Sequence, residues 1–469
     1  MKIRILVWLI VFVQAFHIMA QDSTRVLTMR DFFSIILKNH PVAKQADLLN
    51  ERAKQEIRIA RGLLDPSLNS KIYHKEFQSK EYYTLWDSYL RIPTWYGIDF
   101  KAGYERNTGA FVSGENVTPA SGLTYIGISV PIGQGLFIDE RRAQIRQARQ
   151  FSTIAEAERI KIINKLLLQA AKDYWDWMYY YNKWNLYKEG LDFATIRYSA
   201  VAERARLGDL PQIDTVEAMM QVQKFQILLT QSEVEYKNSS LILSNYLWND
   251  EEEPLEITSQ VIPSEEGSEI NPLQEDSLTG LIKQAKSNHP DLVKLNAKLV
   301  RFNIEKRFIA DKFKPKLYLD YNLLQTGFPV NSDVLSSGYF FNNYKIGASF
   351  SYSLFLRKER GKFQMIKLKI QETNYELQQM NREIENSIRA TGNDWIAYEN
   401  QILFQQNLVI NSELLRNGEQ IRFENGESSI FLINTREVNL INNQIKLYEL
   451  KAKYAKSKVM LQWAAGAIL

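Results

Sequence analysis

The chain reads NHPVAKQA at residues 39–46 and NHPDLVKL at residues 288–295. Histidine occurs only four times in the 469 residues, so the recurrence of one histidine-containing tripeptide suggests a repeated segment. Further identities at the same spacing of 249 residues match Glu56, Arg58, Pro66 and Leu68 with Glu305, Arg307, Pro315 and Leu317. An internal repeat has to be recognised first, because each copy is then one structural unit.

A second spacing, of 218 residues, applies farther along the chain. It matches Leu136, Arg142, Asp176, Trp177, Tyr180, Arg204 and Gly208 with Leu354, Arg360, Asp394, Trp395, Tyr398, Arg422 and Gly426. The 31-residue difference between the spacings places one insertion in the first copy, between Pro66 and Leu136. We therefore interpret the chain as a tandem duplication, with a first repeat at 21–248 and a second at 278–469.

Residues 1–20 have the pattern of a cleavable signal peptide. Lys2 and Arg4 precede an apolar run, and Ala20 precedes polar residues. The run is too short to predict a membrane anchor. Because cysteine is absent, we expect neither disulfide bonds nor an acylated N-terminus in the exported protein. The formal net charge of +4 is too small to favour nucleic acid as a partner.

The two predicted long helical hairpins are 139–247 and 356–465. No proline lies between Pro131 and Pro211, and none follows Pro329. The first arm of the first hairpin is interrupted only by Gly190, and as a helix it would be about 100 Å long. A helix of that length suggests coiled-coil packing.

The two predicted shorter helical segments are 28–62 and 278–312. Within them, Pro41 and Pro290 suit the first turn of a helix, where a missing N–H is not needed. We interpret His40 and His289 as residues at a helix boundary. The alternative, a metal site, lacks a second ligand at helical spacing.

Strands are predicted within 67–132 and 316–353, because the apolar period there changes to two. In residues 98–105, Ile98, Phe100, Ala102 and Tyr104 lie on one face, with charged or small residues on the other. Residues 346–353 alternate in the same way, with glycine and serine on the second face. A soluble sandwich has a similar alternation. Glycine and serine favour a water-filled lumen, and the strand length suits a tilted membrane-spanning strand.

YIGISV (125–130) and KLYLDYN (316–322) alternate too, which makes four clear strands. Four strands cannot close a barrel, and open sheet edges are not tolerated in lipid. Several copies of the chain must therefore share one barrel. Residues 67–92 predict either another strand pair or a long exposed hairpin, and the sequence alone leaves this choice open.

Residues 249–277 separate the two repeats and differ from both in composition. They are rich in acids and prolines and show no helical period. This composition predicts an acidic linker, with a short strand at LEIT, residues 255–258.

The chain lacks the motifs of an enzyme. GQG at 133–135 is not followed by the rest of a phosphate-binding loop, and no nucleophile elbow, HExxH motif or cysteine cluster occurs. The adjacent Glu251 and Glu252 lie in the linker, where a solvated charge run explains them. We expect no catalysis, no cofactor and no metal.

Taken in order, these features resemble the TolC family of outer-membrane efflux proteins. The local motifs that carry the resemblance are DLPQIDTVEA (209–218), SIFLINTREVNL (429–440), the two NHP tripeptides and DPSL (65–68). The resemblance implies an α+β membrane protein. Its fold would be a homotrimer with a twelve-stranded outer-membrane β-barrel, continued by a long periplasmic α-helical coiled-coil barrel.

The resemblance also implies a function and partners. The protein would be the exit duct of a tripartite efflux or export system of a Gram-negative bacterium. It would accept small molecules or exported polypeptide from an inner-membrane pump through a periplasmic adaptor. Outer-membrane lipid would surround it, and no nucleic acid would be involved.

In the family, the periplasmic helix tips close the channel and meet the adaptor. The residues that match these tips are Gly208, Asp209, Leu210, Pro211, Asp214, Glu217, Gly426, Glu427, Ser428, Ser429, Phe431 and Leu432. The two glycines would allow the positive φ of a tight reversal. Family members place an acid six residues after each tip glycine; Asp214 fits, but Leu432 takes that place in the second repeat. Asp214, Glu217 and Glu437 would favour cations near the gate, or else act as ordinary surface charges.

Opening is expected to be a rearrangement of the helix tips, so Asp214→Ala should raise the single-channel conductance. Two other classes of protein remain. A periplasmic adaptor also has a signal peptide and a coiled-coil hairpin, but it has one hairpin and soluble β-domains. A periplasmic enzyme on a helical scaffold would need a site that the sequence lacks. Heat-modifiable trimers in outer-membrane fractions would distinguish the channel from both.

Overall fold

A computed structural model of the chain describes residues 25–327 and 342–468. The helices are α1 Met29–Asn39, α2 Pro41–Arg61, α3 Glu140–Arg206, α4 Gln212–Ser244, α5 Glu275–Asn288, α6 Pro290–Asp311, α7 Arg357–Glu424 and α8 Ile430–Ala464. The strands are β1 Arg25–Leu27, β2 Ser67–Phe77, β3 Lys80–Pro93, β4 Asp99–Thr108, β5 Leu123–Pro131, β6 Val261–Pro263, β7 Lys316–Thr326 and β8 Tyr344–Ser351. The predicted signal peptide at 1–20 lies outside the described residues.

The chain divides into two compact units. The first contains residues 25–46, 160–289 and 383–468, and the second contains 47–159 and 290–382. In the described segments, no helix contains a stretch long and apolar enough to cross a membrane.

The repeated NHP tripeptide marks the junction of two helices in both halves of the chain. The His40 N–H donates to the Ile36 carbonyl at 3.0 Å, and the His289 N–H donates to the Ala285 carbonyl at 2.9 Å. Each histidine is the C-cap of one helix, and the proline after it begins the next. The interpretation of both histidines as helix-boundary residues is confirmed.

The core of the first unit is built around aromatic side chains of α3. Tyr174 and Trp177 are fully buried together with Phe32 of α1 and Leu243 of α4. The Tyr174 hydroxyl donates to the Leu27 carbonyl of β1 at 2.7 Å. A buried hydroxyl needs a hydrogen-bond partner, and this bond allows a tyrosine to lie in the core.

A small parallel sheet pairs β1, at residues 25–27, with β6, at residues 261–263. Arg25 lies opposite Val261, and Leu27 lies opposite Pro263. The strand predicted at 255–258 is therefore wrong: no strand is formed there, and β6 lies six residues later. Residues 249–260 form turns and irregular structure, and α5 begins at Glu275, inside the predicted linker.

Gly190 does not interrupt α3, which is continuous through it. A Cβ atom at this position would lie 2.8 Å from Ile441 of α8 and 2.8 Å from Phe225 of α4. Gly190 thus allows a close approach between α3 and its two neighbours. Close packing against two helices outweighs the low helix propensity of glycine, so the single long helix expected from the sequence continues through this position.

The second unit contains one antiparallel sheet with the strand order β2-β3-β4-β5-β7-β8. Residues 67–92 form two strands of this sheet, which settles the choice that the sequence left open. With this strand pair, the described residues supply six strands to the sheet, four before and two after the middle of the chain.

The two faces of this sheet differ sharply in chemistry. One face carries side chains that are 37–78% exposed: Leu68, Ile72, Trp86, Leu90, Ile92, Phe100, Ile126, Ile128, Leu319, Ile346 and Phe350. The other face is mostly polar: Asn69, Lys71, Asp87, Arg91, Lys101, Glu105, Ser129, Asp320, Lys345 and Ser349. An exposed apolar surface of this extent marks an interaction site rather than a protein surface in water.

Candidate functional site

The turns of the two long hairpins have the same backbone geometry. Gly208 has a φ of +88° and Gly426 a φ of +78°. In both turns the glycine N–H donates to the carbonyl three residues earlier at 3.1 Å. The next N–H donates to the carbonyl five residues before it, at 2.9 Å in the first turn and 2.8 Å in the second. This bond pattern is a Schellman cap, which places glycine at the left-handed position.

Replacing Gly208 by alanine should lower the stability of this tip by about 1–2 kcal/mol, because alanine is strained at positive φ. No atom lies within 4 Å of the position that a Cβ would occupy, so the cost is conformational and not steric. Gly208→Asn is the matched control, since asparagine tolerates the left-handed region better. Thermal unfolding measures the effect, and equal melting temperatures for the three proteins would contradict it.

The two tips share one apolar cluster in the first unit. Val201 of α3, Ala218 of α4, Phe423 of α7, and Ile430 and Ile433 of α8 are its buried members. Leu210, one of the predicted tip residues, packs against it. The structure therefore brings together two turns that are more than 200 residues apart in sequence.

Most of the predicted tip residues lie on the surface around this cluster. Asp209 and Glu427 are exposed, and Phe431 is 61% exposed. Pro211 is the N-cap of α4 and makes no side-chain cap bond. Ser429 is the N-cap of α8, where its hydroxyl accepts a hydrogen bond from the Leu432 N–H at 3.4 Å.

The three acids predicted to act at the gate differ in burial and in ion pairing. Asp214 and Glu217 are half-buried, and neither carboxylate has an ion pair among the described residues. Glu437 is only 3% exposed and pairs with Arg197 of α3 at 3.0 Å. In the single chain, Glu437 is therefore a buried and neutralised carboxylate, whereas Asp214 and Glu217 are not.

The Arg197–Glu437 pair is a feature that sequence reasoning missed. Arg197 also donates to the Asn434 Oδ1 at 3.1 Å, and Asn434 is itself buried. Arg197 retains 12% of its side-chain exposure. One signal was present in the sequence: Asn434 and Glu437 fall three residues apart on the apolar face of α8 that includes Ile433 and Leu440. Polar residues at such positions need a buried partner.

A second charged cluster lies beside the turn of the second hairpin. Glu419 of α7 is 6% exposed on its side chain, and its carboxylate accepts a hydrogen bond from the Ser428 hydroxyl. Arg422 and Arg436 each approach this carboxylate to 3.8 Å. The cluster ties the end of α7 to the start of α8.

Several apolar side chains at the tips face outward. The exposed members are Leu207, Ile213, Val216, Met220 and Phe431. Next to them, hydrogen bonds from Arg206 hold the pKa of the exposed Glu203 carboxyl below its ordinary value. The tips thus present an apolar surface with a charged margin, which is typical of a protein contact site.

The polar face of the sheet holds ion pairs between strands. Lys101 pairs with Asp320 at 3.1 Å, and Lys345 approaches Glu105 to 3.7 Å. These pairs join β4 to β7 and to β8. They would be costly against lipid and are tolerated where water is present.

Comparisons with known proteins support the fold. No protein-family model matches the chain, and no curated protein sequence matches it significantly. Solved structures do match: the CmeC outer membrane channel of Campylobacter jejuni is 15% identical, with 93% of this chain and 85% of that chain covered and a TM-score of 0.63. The outer membrane protein VceC of Vibrio cholerae is 14% identical, with 94% and 96% covered and a TM-score of 0.62.

A third match is the open state of the MtrE outer membrane channel of Neisseria gonorrhoeae. It is 12% identical to this chain, with 94% of this chain and 89% of that chain covered and a TM-score of 0.65. At such identities the likeness concerns the fold. The chain therefore has the fold of the TolC family of outer-membrane channels, as its sequence indicated.

Proposed function

We propose that the chain forms the outer-membrane exit duct of a tripartite efflux or export system. The observation that carries this proposal is the two-faced sheet. Its exposed apolar face suits contact with lipid, and its polar face suits a water-filled lumen. Because an isolated six-stranded sheet has two open edges, and lipid does not tolerate open edges, the proposal requires several copies around one barrel.

In the proposed assembly three copies form the duct, and the long helices line its periplasmic part. The fold shared with outer-membrane channels supports this arrangement. Small molecules or exported polypeptide would enter from an inner-membrane pump through a periplasmic adaptor. The outward-facing apolar side chains at the tips, among them Ile213 and Phe431, offer the adaptor a contact surface.

Gating is proposed to be a rearrangement of the helix tips without covalent chemistry. The buried Arg197–Glu437 pair and the shared apolar cluster hold the two hairpins together in the described conformation. A wider passage between hairpins would require these contacts to separate or to move as one body.

The proposal is tested by expressing the full chain in a Gram-negative host and fractionating the envelope. Heat-modifiable trimers in the outer membrane and discrete single-channel currents in a planar bilayer are the expected results. A monomer that stays soluble without detergent would contradict the proposal and favour a periplasmic adaptor.

Asp214→Ala is expected to raise the single-channel conductance and reduce cation preference. Asp214 has no ion pair among the described residues of one chain, so any contact that it makes to hold the gate would be with a neighbouring copy. Three such carboxylates near the axis would attract cations. Asp209→Ala is the matched control, because Asp209 is an exposed acid of the same turn. Unchanged conductance and selectivity in Asp214→Ala would count against its place at the gate.

A further inference from the structure

Among the described residues of one chain, the sheet ends on both sides in a strand with one unpaired edge. These outer strands are β2 and β8. All neighbouring strands in the sheet are antiparallel, and the sheet has six strands, counting β2 and β8. With an even number, β2 and β8 run in opposite directions. The β8 edge of one copy can therefore pair with the β2 edge of the next and keep the antiparallel order.

The internal repeat inferred from the sequence relates the pairing of β8 with β2 of the next copy to a pairing that is observed within one chain, that of β5 with β7. β2 and β7 each follow a helix and a proline, Pro66 or Pro315, while β5 and β8 each precede a long helix. Under the two sequence spacings, β2 corresponds to β7 and β5 corresponds to β8. The observed pairing of β5 with β7 is then the counterpart of a pairing of β8 with β2.

The correspondence also gives a register. In the observed junction Ile128 lies opposite Tyr321, and Val130 lies opposite Leu319. Moving these positions by the two spacings places Ile346 opposite Ile72, and Ala348 opposite Ser70. The remaining transferred pairs are Tyr344 with His74, Lys345 with Tyr73, Gly347 with Lys71 and Ser349 with Asn69. Continuing the same register by two residues gives Phe350 with Leu68 and Ser351 with Ser67.

The chemistry of the two edges agrees with this register. Ile72 and Leu68 lie on the exposed apolar face of β2, and Ile346 and Phe350 lie on the same face of β8. A register shifted by one residue would place apolar side chains of one strand beside polar side chains of the other. The register comes from spacings between sequence identities, whereas the apolar face of each strand comes from the observed strand pairing. Two independent observations therefore agree.

The inserted strands, β3 and β4, belong to the same six-stranded sheet, which we call the wall of the barrel. β3 and β4 lie between β2 and β5, and the insertion that the sequence places between Pro66 and Leu136 accounts for them. β3 is paired along its length, with ten residues opposite β4 and eleven residues of β2 opposite β3. Leu90 and Ile92 continue the exposed apolar face through the insertion.

We propose that β8 of each copy pairs with β2 of the next in this register, so that each copy supplies six strands to the wall. In the proposed homotrimer this gives eighteen strands in place of the twelve that the family resemblance implied. This inference rests on the proposed function, which supplies the lipid and the three copies. Because barrel diameter grows roughly linearly with strand number, the membrane pore would be about 1.5 times as wide.

Cysteine cross-linking tests the junction, and the chain has no native cysteine to interfere. The variant Asn69→Cys/Ser349→Cys places two thiols opposite each other across neighbouring copies in the predicted register. Oxidation in outer-membrane vesicles should give covalent dimers and trimers on a denaturing, non-reducing gel. Asn69→Cys/Lys345→Cys is the matched control, because its second thiol lies four residues away along β8 and should cross-link at least tenfold less.

A second measurement decides whether the inserted strands lie in the wall. Single variants Leu90→Cys and Tyr89→Cys, on opposite faces of β3, are labelled with a fluorophore and placed in vesicles containing brominated phospholipid. Quenching of the Leu90 label but not of the Tyr89 label is the expected result. Equal, weak quenching of both labels would overturn the eighteen-stranded wall, because it would place β3 in water.

The outcomes separate this inference from the proposed function. Heat-modifiable trimers of the unsubstituted protein together with no cross-link, or with equal cross-linking of both cysteine pairs, would overturn the inferred junction and leave the exit duct standing. Absence of trimers from the outer membrane would overturn both.

Discussion

Arg197→Ala is expected to destabilise the helix tips by about 3–5 kcal/mol, since it leaves the Glu437 carboxylate buried without its partner. Glu437 is only 3% exposed, so its carboxylate is largely removed from water. The Asn434 Oδ1 would lose its hydrogen bond as well. Relief of the unpaired charge favours separation of the two hairpins, so we expect a lower thermal transition and a higher single-channel conductance.

The double variant Arg197→Met/Glu437→Met removes both charges of the pair. It therefore distinguishes the effect of losing the ion pair from the effect of leaving Glu437 buried and unpaired. An apolar pair of similar volume is often neutral or stabilising in place of a buried ion pair. We therefore expect the double variant to keep the thermal transition of the unsubstituted protein. A surface pair such as Glu203–Arg206 serves as the second control, because removing Arg206 should change the transition little. Equal effects of Arg197→Ala and Arg206→Ala would contradict the assigned role.

Ile126→Arg is expected to prevent assembly in the outer membrane. Ile126 lies in the middle of β5 on the apolar face and is 49% exposed in the single chain. An arginine against lipid near the centre of a bilayer costs about 2–4 kcal/mol for each copy. The proposed trimer would carry this cost three times, so detergent-resistant trimers should disappear from the membrane fraction.

Ser129→Arg is the matched control for this variant. Ser129 lies three residues farther along the same strand, on the opposite face. An arginine there would point toward the face that already holds Lys101 and Asp320, where charge is tolerated. Trimers of Ser129→Arg should form and conduct with altered selectivity. Loss of trimers in both variants, or in neither, would contradict the assignment of the two faces.

Local features of the fold could be predicted well from the sequence, because their causes lie within a few residues. The positive φ of Gly208 and Gly426 follows from the need for glycine in a tight reversal of two helices. The NHP junctions follow from the inability of proline to continue the preceding helix. The two faces of β4 and β8 follow from their period of two.

Features that depend on distant residues could not be predicted in the same way. The segment at 67–92 has an imperfect alternation, and its two strands are stabilised by pairing, β2 with β3 and β3 with β4, rather than by their own pattern. β6 forms at Val261–Pro263 because β1 is available there, although residues 255–258 have the more strand-like composition. Burial of Glu437 requires Arg197, which lies 240 positions away.

The amino-acid sequence by itself thus determined the helical hairpins, their turns and the faces of the clearest strands. Each of these depends on backbone geometry or on short-range periodicity. Only the tertiary structure decided the number of strands in the sheet, the partner of β1 and the neutralisation of Glu437. These depend on which distant groups satisfy exposed hydrogen bonds and buried charges, and such a requirement is met only when the chain has folded.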